Sequence, residues 1–287
     1  MKKKIIGILV FMLLIATSIV SATTVKEENI ETTSYQVDVP VWEVGDTWIY
    51  NEHYSSFWYQ EDGTLILKWF HNCTSTYTVI DDTGDTYKVK LTSENNEGSL
   101  KVGRFRLKFT PFTKLTQELE HRKTDLAYVH VLHKEKGLVF WLIGKIGIPI
   151  PAYYRDIEEE SYTPANELIP FPLTAGTNGT FSSFTSTGSI KMSLYLGLIK
   201  LINGEWLDFE NPARDYTCEM ANITVPAGTY DAYNISTDMG SAKNFSYSYY
   251  VPEVGYIAKY STHLELGDSG KPVMDWEHEL VSTTYTP

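Results

Sequence analysis

The segment VPAGTYDAYNISTDMGSAKNFSYSYYVPEVGYIAKYSTHLEL, residues 225–266, decides the fold class, because it reads as three strands separated by turns. Residues 229–237 are rich in β-branched and aromatic side chains and follow a Pro-Ala-Gly turn signal. Aromatic and small polar residues alternate over 244–251 with the period of two that is typical of a strand. The Pro-Glu-Val-Gly turn at 252–255 then reverses the chain, which predicts an antiparallel hairpin.

Alternating patterns of the same period predict strands in most of the remaining chain. They cover 48–54, 64–80, 87–93, 99–109, 126–135, 180–190, 192–202 and 275–285. We predict turns at 81–85 and 95–98, which are rich in Asp, Asn and Gly, and a β-bulge at Gly103, where the apolar phase changes. The sequence is therefore typical of an all-β, antiparallel protein. A minor helix within 113–133, where leucines approximate helical spacing, is the alternative to strands there.

Two segments have a less regular pattern. Residues 138–150, LVFWLIGKIGIPI, carry a single charge and are too short to span a bilayer. They would plug a barrel, lie in a membrane interface or cover a ligand cavity, and the plainer alternative is a buried core segment. The three glutamates at 158–160 and the Pro-rich stretch 162–172 predict a surface crossing between two halves of the domain.

A family resemblance rests on three short blocks: VGDTWIY at 44–50, VPAGTY at 225–230 and YYVPEVGY at 249–256. These blocks resemble a family of secreted archaeal and bacterial β-proteins related to lipoprotein carriers of the LolA and LppX type. The resemblance implies a strongly curved antiparallel sheet, a half-barrel or open barrel, around an apolar cavity. It implies no catalytic residues. We expect six aromatic residues to line the concave face, together with the segment 138–150: Trp69, Phe105, Phe109, Trp141, Tyr249 and Tyr256.

The N-terminus has the features of a secretory signal peptide over 1–22. Three lysines at 2–4 precede an apolar run over 5–20, and small residues precede a cleavage site after Ala22. The run is shorter than the roughly 20 residues that span a bilayer, which favours cleavage over an uncleaved anchor. We therefore expect an exported protein on the extracellular face of the cell envelope, with no transmembrane span after cleavage. A flexible segment over 23–40 would precede a single β-domain over 41–287, whose two halves meet near 155–172.

Charge and cysteine content narrow the function further. The chain has 36 acidic and 24 basic residues and a net charge of −12, which disfavours nucleic-acid binding because phosphate backbones are repelled.

Cys73 and Cys218 each fall on an apolar phase. In an oxidising compartment they predict a disulfide, which would stabilise the fold by about 4 to 5 kcal/mol in the chain-entropy model. Two buried free thiols are the alternative.

Five N-x-[ST] sequons predict glycosylation if the host glycosylates exported proteins. They lie at Asn72, Asn178, Asn222, Asn234 and Asn244. Asn72, Asn234 and Asn244 fall on polar faces of predicted strands, where a glycan would project into water. Asn222 fits less well, because it shares a phase with Met220.

No catalytic, metal or cofactor site is predicted. The block GDSGKPV at 267–273 resembles the nucleophile block of chymotrypsin-like proteases and would make Ser269 the nucleophile. Lys271 replaces a glycine of that block, and no histidine stands in the matching sequence context, so a polar turn explains the block more simply. His130 and His133 are three residues apart, on opposite faces of a strand, and do not form a chelating pair.

These observations predict a secreted binding protein and not an enzyme. Its ligand would be an apolar molecule, a lipid or isoprenoid, held in the concavity of the curved sheet. The alternative is a glycosylated structural or adhesive component of the cell envelope, with envelope proteins as partners. A serine hydrolase that uses Ser269 is a remote third hypothesis.

Overall fold

The computed structural model of the chain describes residues 36–59, 63–102, 105–110, 112–143, 148–191, 193–196, 199–200, 209–241, 244–265 and 271–287. Within these ranges the chain forms strands, turns and connections, and it forms no helix. The described residues accordingly hold no helix that could cross a membrane. The predicted all-β fold is confirmed, and 113–133 forms strands, as favoured. The predicted signal peptide lies outside the described residues.

Seventeen strands lie within these ranges. They are β1 (Thr47–Tyr59), β2 (Leu65–Asp82), β3 (Thr86–Val102), β4 (Phe105–Phe109), β5 (Lys114–Arg122), β6 (Tyr128–Ile143), β7 (Ile148–Asn166), β8 (Thr177–Phe181), β9 (Phe184–Ile190), β10 (Ser193–Leu196), β11 (Ile199–Lys200), β12 (Phe209–Asn211), β13 (Arg214–Val225), β14 (Gly228–Ser241), β15 (Asn244–Val251), β16 (Tyr256–Glu265) and β17 (Pro272–Thr283). The three strands of the 225–266 segment are β14, β15 and β16, and the turn at 252–255 joins the last two as predicted.

All of these strands belong to one antiparallel sheet that returns on itself. Hydrogen-bonded neighbours run from β13 through β14, β15, β16 and β17 to β1, and on through β2, β3, β5 and β6 to β7. β9 joins β7 to β12, while β8 pairs with β13. Phe184 opposite Asn211 and Phe181 opposite Arg214 continue one register, so β8 and β9 act as a single bent strand. This ring of pairings agrees with the predicted curved antiparallel sheet.

The curvature of the sheet has a local origin in β-bulges. The register shifts between Asn72 and Thr74 and between Val79 and Asp81 on β2, and between Tyr249 and Tyr250 on β15. A bulge adds a residue to one strand and increases its bend and twist. The predicted single strand over 99–109 with a bulge at Gly103 is wrong, because Val102 pairs with Phe105 and the chain reverses between them to form the β3–β4 hairpin; Gly103 itself lies outside the described residues.

Two predicted connections are wrong, because they are parts of strands. The predicted turn at 95–98 continues β3, where the Asn96 side chain donates to the Thr113 carbonyl at 2.7 Å and accepts from the Ser93 hydroxyl at 2.9 Å. The predicted crossing at 158–172 is strand as far as Asn166, since β7 pairs with β6 on one edge and β9 on the other. Pairing on both edges outweighs the weak strand preference of glutamate and proline. The true connection between β7 and β8 is 167–176.

The apolar segment 138–150 forms part of the sheet. Its described residues are the end of β6 and the start of β7, paired so that Trp141 lies opposite Ile150. Val139 points inward and is fully buried, whereas Leu138 is 37% exposed. The segment is therefore a hairpin of the sheet with one buried face. Of the alternatives given above, this is closest to a buried core segment. Residues 144–147 lie outside the described residues.

One end of the ring is closed by segments that pack inside it. Val37 pairs with Leu173 of the 167–176 connection, within the segment that was expected to be flexible. The indole of Trp42 donates to the Gly255 carbonyl at 2.9 Å, and that of Trp48 donates to the Val254 carbonyl at 2.8 Å. A first apolar cluster surrounds these contacts: Trp42, Trp48, Tyr50, Tyr77, Val79, Tyr87, Val89, Leu91, Leu119, Leu126, Ile223, Val225, Ala232, Val251, Val254, Tyr256, Ala258 and Leu280.

We expect Trp42→Ala to lower the free energy of unfolding by about 3 to 5 kcal/mol, because it removes a large buried side chain from this cluster. The Trp42 ring lies within 5.3 Å of the rings of Trp48 and Tyr256, measured between centroids. Urea unfolding would measure the change. Val41→Ala is the matched control, since Val41 is 75% exposed and its loss should change stability by less than about 0.5 kcal/mol. Equal effects would contradict this account of the closed end.

The predicted disulfide is wrong, because Cys73 and Cys218 are both free and buried. Cys73 lies on β2, where its thiol contacts the Glu52 carboxylate at 3.8 Å. Cys218 lies on β13, and five strands stand between β13 and β2 in the sheet. A disulfide needs its two Cα atoms within about 7 Å. The apolar phase of each cysteine placed it inside the sheet correctly, but phase does not say which strands are neighbours.

The state of the cysteines has a simple chemical test. Without reductant, a thiol reagent should titrate two thiols per chain in denaturant and react slowly with the folded protein, because both side chains are buried. Reductant should leave the thermal unfolding midpoint unchanged. A count of zero thiols in denaturant would contradict the structure.

Candidate functional site

The interior of the sheet is layered, and β2 shows how. Its odd-numbered residues point inward, and Tyr77 and Val79 belong to the first cluster at the closed end. Leu67, near the other end of the strand, belongs to a second apolar cluster. The second cluster comprises Leu67, Leu100, Leu107, Phe109, Val139, Ala152 and Tyr154, with Trp69 and Trp141 packed against it. Between the two clusters β2 carries only polar inward residues, His71, Cys73 and Ser75, all of them buried.

The same layering recurs on the neighbouring strands. On β6, His133 and Glu135 precede the inward-facing Val139, and on β7 Asp156 and Glu158 follow Tyr154. On β1 and β17 the polar residues adjoin members of the first cluster. We call this band the central layer and define it by Glu52, His71, Cys73, His133, Glu135, Asp156, Glu158 and His278.

Strand register brings the central layer together in two groups. Glu135 lies opposite Asp156 and His133 lies opposite Glu158, across the β6–β7 pair. Glu52 lies opposite Cys73 on one side and His278 on the other. Opposite residues of an antiparallel pair have Cβ atoms about 4.5 to 5.5 Å apart, so each group is a set of direct neighbours.

The two groups also face each other across the interior. The pKa of the Cys73 thiol is raised to about 12, chiefly by burial and then by the charge of Glu52, with a smaller effect of Glu135. Burial, and to a smaller extent the charge of His71, lower the pKa of His133 to about 4. The Phe109 ring lies 5.8 Å from that of His71 on β2 and 5.9 Å from that of Tyr154 on β7, measured between centroids, so it joins the two sides of the interior. We therefore treat the central layer as one candidate site.

Several buried polar atoms of this site have no hydrogen-bond partner among the described residues. They are both carboxylate oxygens of Glu135, Nε2 of His133, Nε1 of Trp69 and both ring nitrogens of His278. Glu135 is fully buried and Asp156 is 1% exposed. A buried polar group without a partner costs about 1 to 3 kcal/mol, and a charged one costs more. The central layer is thus chemically unsatisfied by the described chain alone.

Burial shifts the three carboxyl groups of β6 and β7 toward their protonated forms. The pKa of Glu135 is raised to about 8 by burial and then by the charge of Asp156. The pKa of Glu158 is also raised to about 8, for the same two reasons, and that of Asp156 to about 6, by burial. Since these groups interact, their protons are shared and titrate as a set. Near pH 7 the site therefore holds protons that exposed carboxylates would have released.

The histidines of the central layer are neutral near pH 7. Burial lowers the pKa of His71, and it lowers that of His278 to about 3. His133 accepts a hydrogen bond at Nδ1 from the Gln117 amide at 2.9 Å, so its proton is on Nε2, which faces the site as a donor. The imidazoles therefore do not neutralise the carboxylates, and the charge of the central layer is negative or zero.

Some inward-facing side chains keep solvent-accessible surface. Trp69 and Glu158 are only partly buried, although both point into the ring. Tyr54 and Trp276, also partly buried, lie opposite each other on β1 and β17. Tyr54 is 5.5 Å from Trp69 between ring centroids. These accessible, inward-facing side chains lie at the level of the central layer and the second cluster.

The six aromatic residues that were predicted to line a ligand cavity do not lie together in the structure. Trp69, Phe109 and Trp141 lie together in or against the second cluster, and Phe109 is 5.8 Å from His71 between ring centroids. Tyr256 belongs to the first cluster at the closed end, and Tyr249 packs against that cluster. Phe105 lies on β4, but its side chain is outside the described part of the structure. Three of the six therefore lie at the second cluster, and two of these, Trp69 and Phe109, border the central layer.

Sequence reasoning missed the carboxylates and histidines of this site. The available signal was phase: Glu52 alternates in step with Trp48 and Tyr50, and Glu135 in step with His133 and Val139. A charged residue in the apolar phase of a strand is placed toward the core. The sequence analysis used phase to place Cys73 and Cys218 inside the sheet but did not apply it to these charged residues.

Other predicted sites lie away from the central layer. Asn178 and Asn222 are exposed, while Asn72, Asn234 and Asn244 are partly buried. His130 points away from His133, as predicted, and pairs with Glu159 at 3.4 Å. Ser269 lies outside the described residues. Among the residues that are described, no group of three or more His, Cys, Asp or Glu side chains is placed to hold a metal ion.

A groove of about 670 Å³ lies on the outer face of β8, β13 and β14. Its lining includes Thr180 and Asp215, which bond to each other at 2.6 Å. These exposed polar groups satisfy one another or meet water. The groove thus lacks the buried, unsatisfied chemistry of the central layer, which we take as the candidate site.

Comparison with protein-family models, with curated proteins and with solved structures found no match to this chain. The resemblance to lipoprotein carriers of the LolA and LppX type therefore stays a prediction. The interior geometry described above is the basis of the function proposed below.

The raised carboxyl pKa values predict how stability depends on pH. Between about pH 6.5 and 8 the unfolded chain has ionised Glu135 and Glu158 while the folded chain still holds their protons, so the free energy of unfolding should fall as pH rises. Glu135→Gln removes one such group and should reduce the slope by up to about 1.4 kcal/mol per pH unit. Below about pH 6.5 the buried histidines have the opposite effect. Because their pKa values are lowered in the folded protein, they make the free energy of unfolding rise as pH rises.

Urea unfolding at several pH values would measure this slope. Glu118→Gln is the matched control, because the Glu118 side chain is 55% exposed on β5 and pairs with Lys134 on the outer face. It should leave the slope unchanged. Equal slopes for the wild type and Glu135→Gln would show that Glu135 does not hold a proton in the folded protein.

Proposed function

We propose that this chain is a secreted binding protein that holds an apolar or amphipathic ligand inside its curved sheet, where the second cluster adjoins the central layer. The observation that carries the proposal is the interior itself, which combines accessible aromatic side chains with buried polar groups lacking partners among the described residues. Folded proteins rarely retain such groups without a functional reason.

The second cluster supplies the apolar contact surface. Trp69 and Trp141 pack against it while staying partly exposed, and Phe109 contacts Tyr154 with ring centroids 5.9 Å apart. Aromatic side chains of this size bury about 150 to 250 Å² each, at about 25 cal/mol per Å² of apolar area removed from water. An apolar chain lying on Trp69 and Trp141 would be stabilised without rearrangement of the fully buried leucines beneath them.

The central layer supports binding in preference to catalysis. Its one thiol, Cys73, has a pKa of about 12 and is therefore not a nucleophile near neutral pH. Its histidines have lowered pKa values and would be poor general bases at that pH. The layer instead offers fixed donors and acceptors that would orient the polar end of a ligand.

An envelope glycoprotein is the second candidate function. The observation that favours it is the exposure of Asn178 and Asn222, which leaves both sequons accessible to a glycosylating enzyme. Asn222 lies on the outer face of β13, where its amide donates to Asp231 at 2.9 Å. Glycans at these positions would not obstruct the interior, so both functions are compatible.

Titration with the uncharged fluorophore N-phenyl-1-naphthylamine tests the proposed function. The folded wild type should bind it saturably, with one site per chain and a rise in fluorescence. Trp69→Leu should weaken binding by about 10-fold, because it removes aromatic contact area from the site. Phe112→Ala is the control, since Phe112 is 72% exposed and should not contribute.

Absence of saturable binding to the folded wild type would reject the proposed function. Equal affinities for the wild type and Trp69→Leu would place the ligand elsewhere. Mass spectrometry of protein purified from its own envelope, before and after organic extraction, would identify the natural ligand.

A further inference from the structure

We propose that the central layer is a cation site, in which the carboxyl groups of Glu135, Asp156 and Glu158 bind the ammonium group of an organic cation whose apolar part contacts the second cluster. The inference rests on the proposed function and specifies its ligand class. The ligand would be a cationic amphiphile and not a neutral lipid.

The charge of the central layer favours a cation as the ligand. Glu135, Asp156 and Glu158 face the interior from adjacent strands, and Glu52 faces it from β1. Arg214, an inward-facing cation on β13, lies 3.5 Å from the Asn166 side-chain oxygen and beside the Phe184 ring. No ion pair with Arg214 is found for these four carboxylates in the described part of the chain. Their charge therefore requires protons or an added cation.

The spacing of the three carboxyl groups also suits a single cation. Glu135 and Asp156 are directly opposite, and Glu158 is two residues further along the same face of β7, about 7 Å away. Three carboxyl groups within this span would surround one ammonium group. His133 lies opposite Glu158, and its buried Nε2 has no hydrogen-bond partner among the described residues, while the buried Tyr154 lies on the same face of β7 as Asp156.

The aromatic side chains near the carboxyl groups favour an organic cation. Trp69 and Tyr154 border the carboxylates on the side of the second cluster, and Tyr54 lies next to Trp69. Aromatic faces attract alkylammonium groups by cation–π interaction, which strengthens where water is excluded. Carboxylates next to aromatic rings suit an organic cation better than a small, strongly hydrated metal ion. The adjoining second cluster accounts for an apolar chain on the same ligand.

Binding of a cation should release protons from the site. Without ligand, the carboxyl groups hold protons near pH 7, because burial raises their pKa values. A bound cation would stabilise the ionised forms and displace those protons. The groups that face this cluster from the packed strands are Glu52 and Tyr54 on β1, His71 and Cys73 on β2, Gln117 on β5, His133 on β6, Tyr154 and Glu160 on β7 and His278 on β17.

Isothermal titration calorimetry with three amphiphiles of equal chain length tests the proposal. The probes are dodecyltrimethylammonium, uncharged dodecyldimethylamine oxide and dodecyl sulfate, each below its micellar concentration at pH 8. The wild type should bind the cation at least about 10-fold more tightly than the amine oxide, and the sulfate most weakly. Glu135→Gln and Glu158→Gln should remove the preference for the cation and leave amine oxide binding unchanged.

Glu159→Gln is the matched control for the variants. Glu159 is adjacent in sequence to Glu158 but points outward, with 59% of its side chain exposed. Its loss should leave all three affinities unchanged. A loss of the cation preference in Glu159→Gln equal to that in Glu158→Gln would indicate attraction to the acidic surface and would overturn the internal cation site.

A measurement on the wild type keeps the proposal testable if the variants do not fold. The heat of dodecyltrimethylammonium binding at pH 7 should differ between phosphate and Tris buffers, because released protons are taken up by buffers of different ionisation enthalpy. Equal heats, or equal affinity for the cation and the amine oxide, would overturn the cation site and leave the proposed function standing. Failure of all three probes to bind would reject both.

Discussion

The pairing of β1 with both β17 and β2 is the interaction on which the rest of the structure depends. It joins the last strand of the described chain to the first two, so that the sheet has an inside. Because side chains alternate across a strand, closure in this register directs Trp48, Tyr50 and Glu52 into that interior. A shift of one residue in β1 would reverse its two faces and turn Trp48 and Tyr50 toward water.

The interior combines strong apolar packing with polar groups that oppose stability. The first cluster closes one end around Trp42, and the second cluster packs the far ends of β2, β3, β4, β6 and β7. Between them Glu135 is buried without a hydrogen-bond partner in the described residues, and Asp156 is buried opposite it. The clusters supply the hydrophobic free energy that offsets the unsatisfied layer. Under the proposed function, the stability lost in this layer would serve ligand binding.

The central layer also shows how strand register creates a site that no single segment encodes. Glu135 and Asp156 are 21 positions apart in the sequence but directly opposite in the sheet. His133 and Glu158 are opposite by the same pairing, and Glu52 reaches Cys73 and His278 through two further pairings. Burial then changes the chemistry of each group, because protein surrounds it on every side.

Much of the architecture was predictable because strand formation is a local property. The alternation over 244–251 and the turn at 252–255 are written in consecutive residues, and both were predicted correctly. The predictions failed where pairing outweighed local preference. Glu158 and Pro164 looked like parts of a surface crossing, yet they lie in β7, whose two edges pair with β6 and β9. The Asn-rich stretch at 95–98 failed for the same reason.

The sequence by itself determined the fold class, the two faces of most strands and the inward position of Cys73, since each depends on the period of two along the chain. Only the tertiary structure decided which strands are neighbours. It separated Cys73 from Cys218, divided the predicted aromatic lining between two clusters and brought three carboxyl groups together. The physical reason is that strand pairing is non-local: alternation specifies a face, whereas register and sheet closure specify which distant side chains share it.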